Sequence, residues 1–138
     1  MTEKSILKFV KSCIPSMRLS QQKTLSLSVL SCIRGGGRKL TDMARGMTVS
    51  GNLQSRFKRV SRFLSNPLIQ IETISQELFQ WLIVKECGSL FPVVVLMDWT
   101  VEHDKHVLML SLQVQKRSIP FYWYAIGKSK LIRSQKQH

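Results

Sequence analysis

An α+β chain is predicted, helical through its first part and built of antiparallel strands in its last. Three observations predict it. Apolar residues recur at three- and four-residue intervals up to about residue 82. After Gly88 that spacing gives way to β-branched and aromatic runs. Between the periodic stretches stand breakers: Pro15, the Gly35-Gly36-Gly37 triplet and Asn66-Pro67.

The first helix is expected where Ile6, Leu7, Phe9, Val10 and Ile14 recur, with Pro15 closing it. Ser20 is placed to cap a second helix running to about Ile33, with Leu25, Val29, Cys32 and Ile33 on one side; the glycine triplet stops it. Leu40 to Met47 reads as a short helical turn. A fourth helix follows over residues 52–64. At 100° per residue Leu53, Phe57, Val60, Phe63 and Leu64 share one arc. Lys58, Arg59 and Arg62 occupy the opposite arc, and Arg56 lies at the edge of the apolar stripe. Asn66-Pro67 breaks the chain and marks a boundary between residues 1–66 and 67–138. Beyond it Ile71, Ile74, Leu78, Trp81 and Leu82 define a connecting helix that Gly88 ends.

Residues 93–97 form a continuous apolar run with three valines, which reads as a strand buried on both faces. Residues 106–115 supply a second strand, Lys116-Arg117 a turn, and residues 118–125 a third. Pro120 cannot donate to a ladder, so the third strand belongs at a sheet edge. An antiparallel meander with the valine strand innermost is expected.

Charge narrows the function. The chain carries 21 Lys and Arg against 8 Asp and Glu, a net charge of +13. Residues 1–66 hold 13 of those cations against Glu3 and Asp42, and residues 67–138 hold 8 against six acids. So strong and localised a positive balance points to an anionic partner, most often nucleic acid. A helix, a turn and a helix with one cationic face is the outline of a helix-turn-helix. Arg38, Lys39, Arg56, Lys58, Arg59 and Arg62 are therefore the candidate DNA-binding residues. Cys13, Cys32 and Cys87 are widely spaced, with no CxxC pair, which suits a reducing cytosol rather than a disulfide framework or a zinc site. Lys8 and Lys11 interrupt the apolar residues of the N-terminal stretch, so a signal peptide is not expected, nor a membrane span. A cytoplasmic location, at the nucleoid, is expected.

The valine run ends on Asp98, in FPVVVLMDWTVE. A carboxylate beside buried hydrocarbon is either a solvated strand end or a ligand for a hard cation such as Mg2+. Asp98-Trp99-Thr100 after a valine-rich strand resembles the first catalytic strand of bacterial insertion-sequence transposases of the DDE class. Residues 116–123, KRSIPFYW, are similar to their third strand, and residues 59–67, RVSRFLSNP, to their basic helix exit. The resemblance spans roughly residues 20–131. It implies a helical DNA-binding region followed by the first three antiparallel strands of a ribonuclease-H-like domain, and Mg2+-dependent strand cleavage and transfer at transposon ends. It implies that Asp98 is the first catalytic, metal-holding carboxylate.

Such enzymes use two further carboxylates, and no Asp or Glu follows Asp104 here. Glu102 and Asp104 read as the polar mouth of a hairpin. The chain is thus expected to be the front portion of a transposase that does not cut DNA alone, with residues 93–97 left as an unpaired apolar edge prone to self-association. Two alternatives stand beside it: a non-catalytic DNA-binding protein or transposition inhibitor, and a basic RNA-binding protein whose Trp99 and Trp123 stack on bases.

Overall fold

The computed structural model describes residues 1–35, 37, 39–87, 93–102 and 104–127. Arg38, Gly88, His103 and residues 128–138 lie outside the described residues. Five α-helices precede three strands: α1 Glu3–Cys13, α2 Leu19–Ile33, α3 Leu40–Gly46, α4 Leu53–Leu64, α5 Ile71–Leu82, then β1 Val95–Glu102, β2 Lys105–Val114 and β3 Arg117–Gly127. The architecture is α+β, helices first and an antiparallel sheet second. Two compact units divide it, Met1–Glu77 and Leu78–His138, so that α5 contributes to both. No described helix is long and apolar enough to cross a membrane.

In the first unit, Thr2 opens α1 as its cap: its hydroxyl accepts from the Ser5 amide, and the Ser5 hydroxyl accepts from the Thr2 amide. Ile6 and Val10 of α1 bury against Leu30 of α2, with Leu25 and Val29 partly buried beside them. A second cluster joins α2, the α3–α4 turn and α4 through Leu27, Met47 and Val60. Cys13 is also buried, and burial pushes its thiol pKa up, with Glu77 adding to the effect.

Helix α2 departs from expectation in two ways. It begins at Leu19, one residue before Ser20, and the Gln21 side chain rather than Ser20 accepts the Arg18 amide, at 3.1 Å. Its most buried apolar residues are Leu27 and Leu30, while Ile33 is exposed. The apolar-arc reading misses this because serines share the buried surface. Ser26 and Ser31 are fully buried, which is tolerable because each hydroxyl has an acceptor: the Gln22 carbonyl at 2.7 Å and the Met43 carbonyl at 3.0 Å.

Ser31 also explains Gly46. A Cβ at Gly46 would overlap the Ser31 hydroxyl and stand 3.1 Å from the Ser31 Cβ, so α2 and α3 approach only because position 46 has no side chain. Alanine's better helix propensity offers about 1 kcal/mol at most. Displacing a buried, bonded hydroxyl costs about 1–3 kcal/mol, with overpacking in addition. Gly46→Ala is expected to destabilise the helical unit by about 1–3 kcal/mol in urea denaturation; a neutral or stabilising result would show that α2 can yield.

The second unit is a meander in the order β1-β2-β3. Here β2, not the valine strand, is central: among the described residues β1 is an edge. The strand also starts later than expected, at Val95, and Val94 to Val101 are all exposed rather than buried on both faces. A run of apolar residues cannot by itself distinguish a covered strand from an uncovered one. β3 takes the other edge, as Pro120 requires, and the register shifts by one residue between Leu110 and Ser111. Tyr122 pairs with Leu110 and Pro120 with Ser111, leaving Phe121 as the extra residue of a bulge. Phe121 stacks obliquely on Phe79, with ring centroids 4.7 Å apart, and closes a core with Leu82 and Leu112. The β2–β3 hairpin turns at Gln115 and Lys116, with Gln115 left-handed at φ 54°. α5 continues as a π-helical turn, Ile83–Cys87.

Candidate functional site

Asn52 starts α4: its Oδ1 accepts from the Ser55 amide at 2.8 Å and the Ser55 hydroxyl at 2.9 Å. The helix then directs its four cations to different tasks. Arg56 turns back on the loop before the helix, donating from Nε to the Gly51 carbonyl at 3.1 Å and from Nη1 to the Met47 carbonyl at 3.0 Å. It is half-buried and secures the α3–α4 connection. Lys58 is exposed.

Arg59 and Arg62, one turn apart, line an open groove that α2 completes with Ser20, Gln21 and Thr24, and to which Phe63 and Asn66 also contribute. Arg59 is oriented there: its Nε donates to the Thr24 hydroxyl at 3.2 Å, and that hydroxyl donates to the Ser20 carbonyl at 3.0 Å. No acidic side chain lines the groove. Two guanidinium groups with hydroxyl and amide neighbours make a surface suited to phosphate oxygens, which they can bridge through several donors at once.

The α2 residues escaped the sequence reading. Ser20 looked like a cap, and Thr24 is one polar residue among many. The available signal was helical spacing, since Ser20, Gln21 and Thr24 fall three and four residues apart.

Lys39 is exposed at the start of α3, where its carbonyl accepts the Asp42 and Met43 amides, each at 3.0 Å. It does not line the α2–α4 groove. Asp42 in turn pairs with Arg45 at 3.5 Å. The connection between α3 and α4 is six residues, 47–52, longer than the roughly three- to four-residue turn of a helix-turn-helix.

Asp98 lies at the fourth position of β1, opposite Met109, and is exposed. It is therefore neither the end of its strand nor on the innermost one: β1 runs on to Glu102. Exposure answers the question that its apolar neighbours raise, because water solvates the carboxylate. Trp99 and Trp123 are about half exposed on opposite faces of the sheet, following the two-residue alternation of strands. The β1–β2 hairpin closes at the Glu102–Lys105 pair, with Asp104 exposed in the turn.

A Mg2+ centre requires several oxygen ligands in near-octahedral array. Among the described residues no group of three His, Cys, Asp or Glu stands close enough to hold a metal ion. One exposed carboxylate does not fit such a centre, so Asp98 by itself does not make one. Compared with protein-family models, with curated proteins and with solved structures, the chain matches none.

Proposed function

We propose that this chain binds double-stranded DNA through its helical unit, as the front portion of an insertion-sequence transposase of the DDE class. The observation that carries DNA binding is the α2–α4 groove, where Thr24 orients Arg59 beside Arg62. Lys58 extends the cationic face, and Lys39 adds a further exposed charge. Backbone phosphates are the natural ligand of such a surface, which sets position and orientation on a duplex without reading sequence.

The transposase part of the reading rests on residues 98–100, 116–123 and 59–67, on helices preceding strands, and on an antiparallel meander whose first strand bears Asp98. In that reading Asp98 is the first of three carboxylates, and the other two have no matching position among these 138 residues. The polypeptide then binds transposon ends without cutting them. Incubation of end-containing duplex with Mg2+ or Mn2+ tests this: a retarded, intact duplex is expected. Nicking that Asp98→Ala abolishes would show a complete catalytic site, and failure to bind any duplex would remove the basis of the proposal.

A second reading, a non-catalytic DNA-binding protein, is favoured by the exposure of Asp98 on an edge strand. Preference for transposon-end duplex over random duplex separates the two.

A further inference from the structure

The α2–α4 groove has a different neighbour on each side. Phe63 lines both the groove and an apolar cavity walled by Leu25, Val29, Ile33 and Leu64. The hydroxyl in that cavity, on Ser28, already donates to the Thr24 carbonyl at 2.9 Å. A phosphate entering there would lose its water and find no donor in return. On the other side Gln21 lines both the groove and a second cavity of about 320 Å³, to which Ser16, Arg18, Gln70 and Thr73 also contribute.

The polar groups of this second cavity offer mainly donors. A backbone amide can only donate, so the Arg18 amide, 3.1 Å from Gln21 Oε1, occupies the oxygen of that side chain and leaves its NH2 group. The Gln70 Oε1 likewise accepts from the Thr73 hydroxyl at 3.3 Å. The Arg18 guanidinium is exposed and has no acceptor of its own. Among the described residues no acid lines the cavity. Glu77 lies outside the lining, where its Oε1 accepts the Ser16 amide at 3.2 Å.

We infer that this cavity is a second phosphate subsite with Arg18 as its cation, and that a DNA strand held at Arg59 and Arg62 continues over Gln21 to reach it. The inference rests on the DNA-binding reading of the groove and adds the path of the strand, toward the start of α2 and away from the apolar cavity. The spacing suits consecutive phosphates. Thr24, which orients Arg59, stands six residues after Arg18, about 9 Å along a helix axis. At a rise of about 3.4 Å per nucleotide, one strand covers that distance in roughly two to three steps.

Fluorescence anisotropy of the full chain with a short duplex, across a salt series, tests this path. Arg18→Gln is expected to weaken binding roughly five- to tenfold near 0.1 M salt and to reduce the log–log slope by about 0.9. Arg34→Gln removes the same charge from the exposed far end of α2, outside both polar cavities, and is expected to leave the slope unchanged. Gln21→Glu keeps an oxygen for the Arg18 amide and adds an acid to the first turn of α2, so thermal stability is expected to hold or rise. The same carboxylate faces the strand in both cavities and is expected to weaken binding at least about tenfold. A purely structural Gln21 would leave binding unchanged in that variant. An Arg18→Gln variant with the wild-type slope, an equal loss of slope in Arg34→Gln, or a Gln21→Glu variant that binds as wild type would overturn the inference. In each case a slope lost on replacing Lys58, Arg59 and Arg62 would still uphold DNA binding at the groove. Wild-type protein that retards no duplex would overturn both.

Discussion

Replacing Lys58, Arg59 and Arg62 together by glutamine is expected to weaken duplex binding roughly 10²–10³-fold near 0.1 M salt. The magnitude follows from counterion release. Three phosphates neutralised give a log–log salt slope of about −2.7, and their loss flattens that slope nearly completely. Arg56 is left out because two of its N–H groups already serve the Gly51 and Met47 carbonyls. A fourth contact would raise the expected slope to about −3.6, and a further loss of slope on Arg56→Gln, rather than on Lys39→Gln or Arg18→Gln, would assign it to Arg56. Within the triple substitution, Arg59 carries information beyond charge. Arg59→Lys keeps the cation but loses the planar Nε donor that Thr24 receives, so a measurable loss of affinity with nearly unchanged slope is expected. Fluorescence anisotropy across a salt series reads both. A triple variant that keeps the wild-type slope would place the phosphate contacts elsewhere.

Leu112→Ala is expected to cost about 2–5 kcal/mol, the range for emptying a fully buried leucine site. Leu112 is completely buried and, among the described residues, shares its core with buried Leu82 and Phe121 and with partly buried neighbours such as Phe79, Leu110 and Ile119. Leu112 lies at the centre of that core, and the expected result is unfolding of the sheet unit at room temperature. The helical unit has separate clusters around Ile6, Val10 and Leu30 and around Leu27, Met47 and Val60. Its amides are therefore expected to keep their protection in hydrogen exchange while those of β2 and β3 lose theirs. Simultaneous loss of protection in both units would mean that they fold as one cooperative block.

The helices were the legible part of the fold. α1, α3, α4 and α5 fall within a few residues of where apolar spacing and breakers put them, because each is amphipathic. Thr2 and Asn52 mark their starts with side-chain oxygens. α2 was legible in extent but not in facing, since buried serines hide their hydroxyls on carbonyls that no periodicity reveals. Strand number followed from the three β-branched and aromatic runs, and the edge position of β3 from Pro120. The placement of β1 did not. Its valines read as the innermost strand, whereas among the described residues only β2 lies between two strands and β1 is an edge, which agrees with the expectation for an incomplete sheet; apolar composition records what a strand could bury rather than what covers it.

For the site, cationic character was visible in α4, but which cations are free was not. Lys58 and Arg62 remain on the surface, Arg59 is held by Thr24 from another helix, and Arg56 supports a turn. Those distinctions depend on tertiary neighbours up to 35 residues away in the chain. Asp98 stands out in the sequence as a charge among apolar residues, yet its exposed position on an edge is a property of sheet order and not of local sequence.

DNA lying along the α2–α4 face is the interaction on which the proposed function depends. Titrating 15N-labelled protein with a short duplex and following backbone amide shifts tests this most directly. Shifts concentrated on Ser20, Gln21, Thr24, Arg59, Arg62 and Asn66 are predicted, growing weaker as salt rises. Shifts confined to β1, β2 and β3, with Thr24 and Arg59 unmoved at saturation, would contradict it.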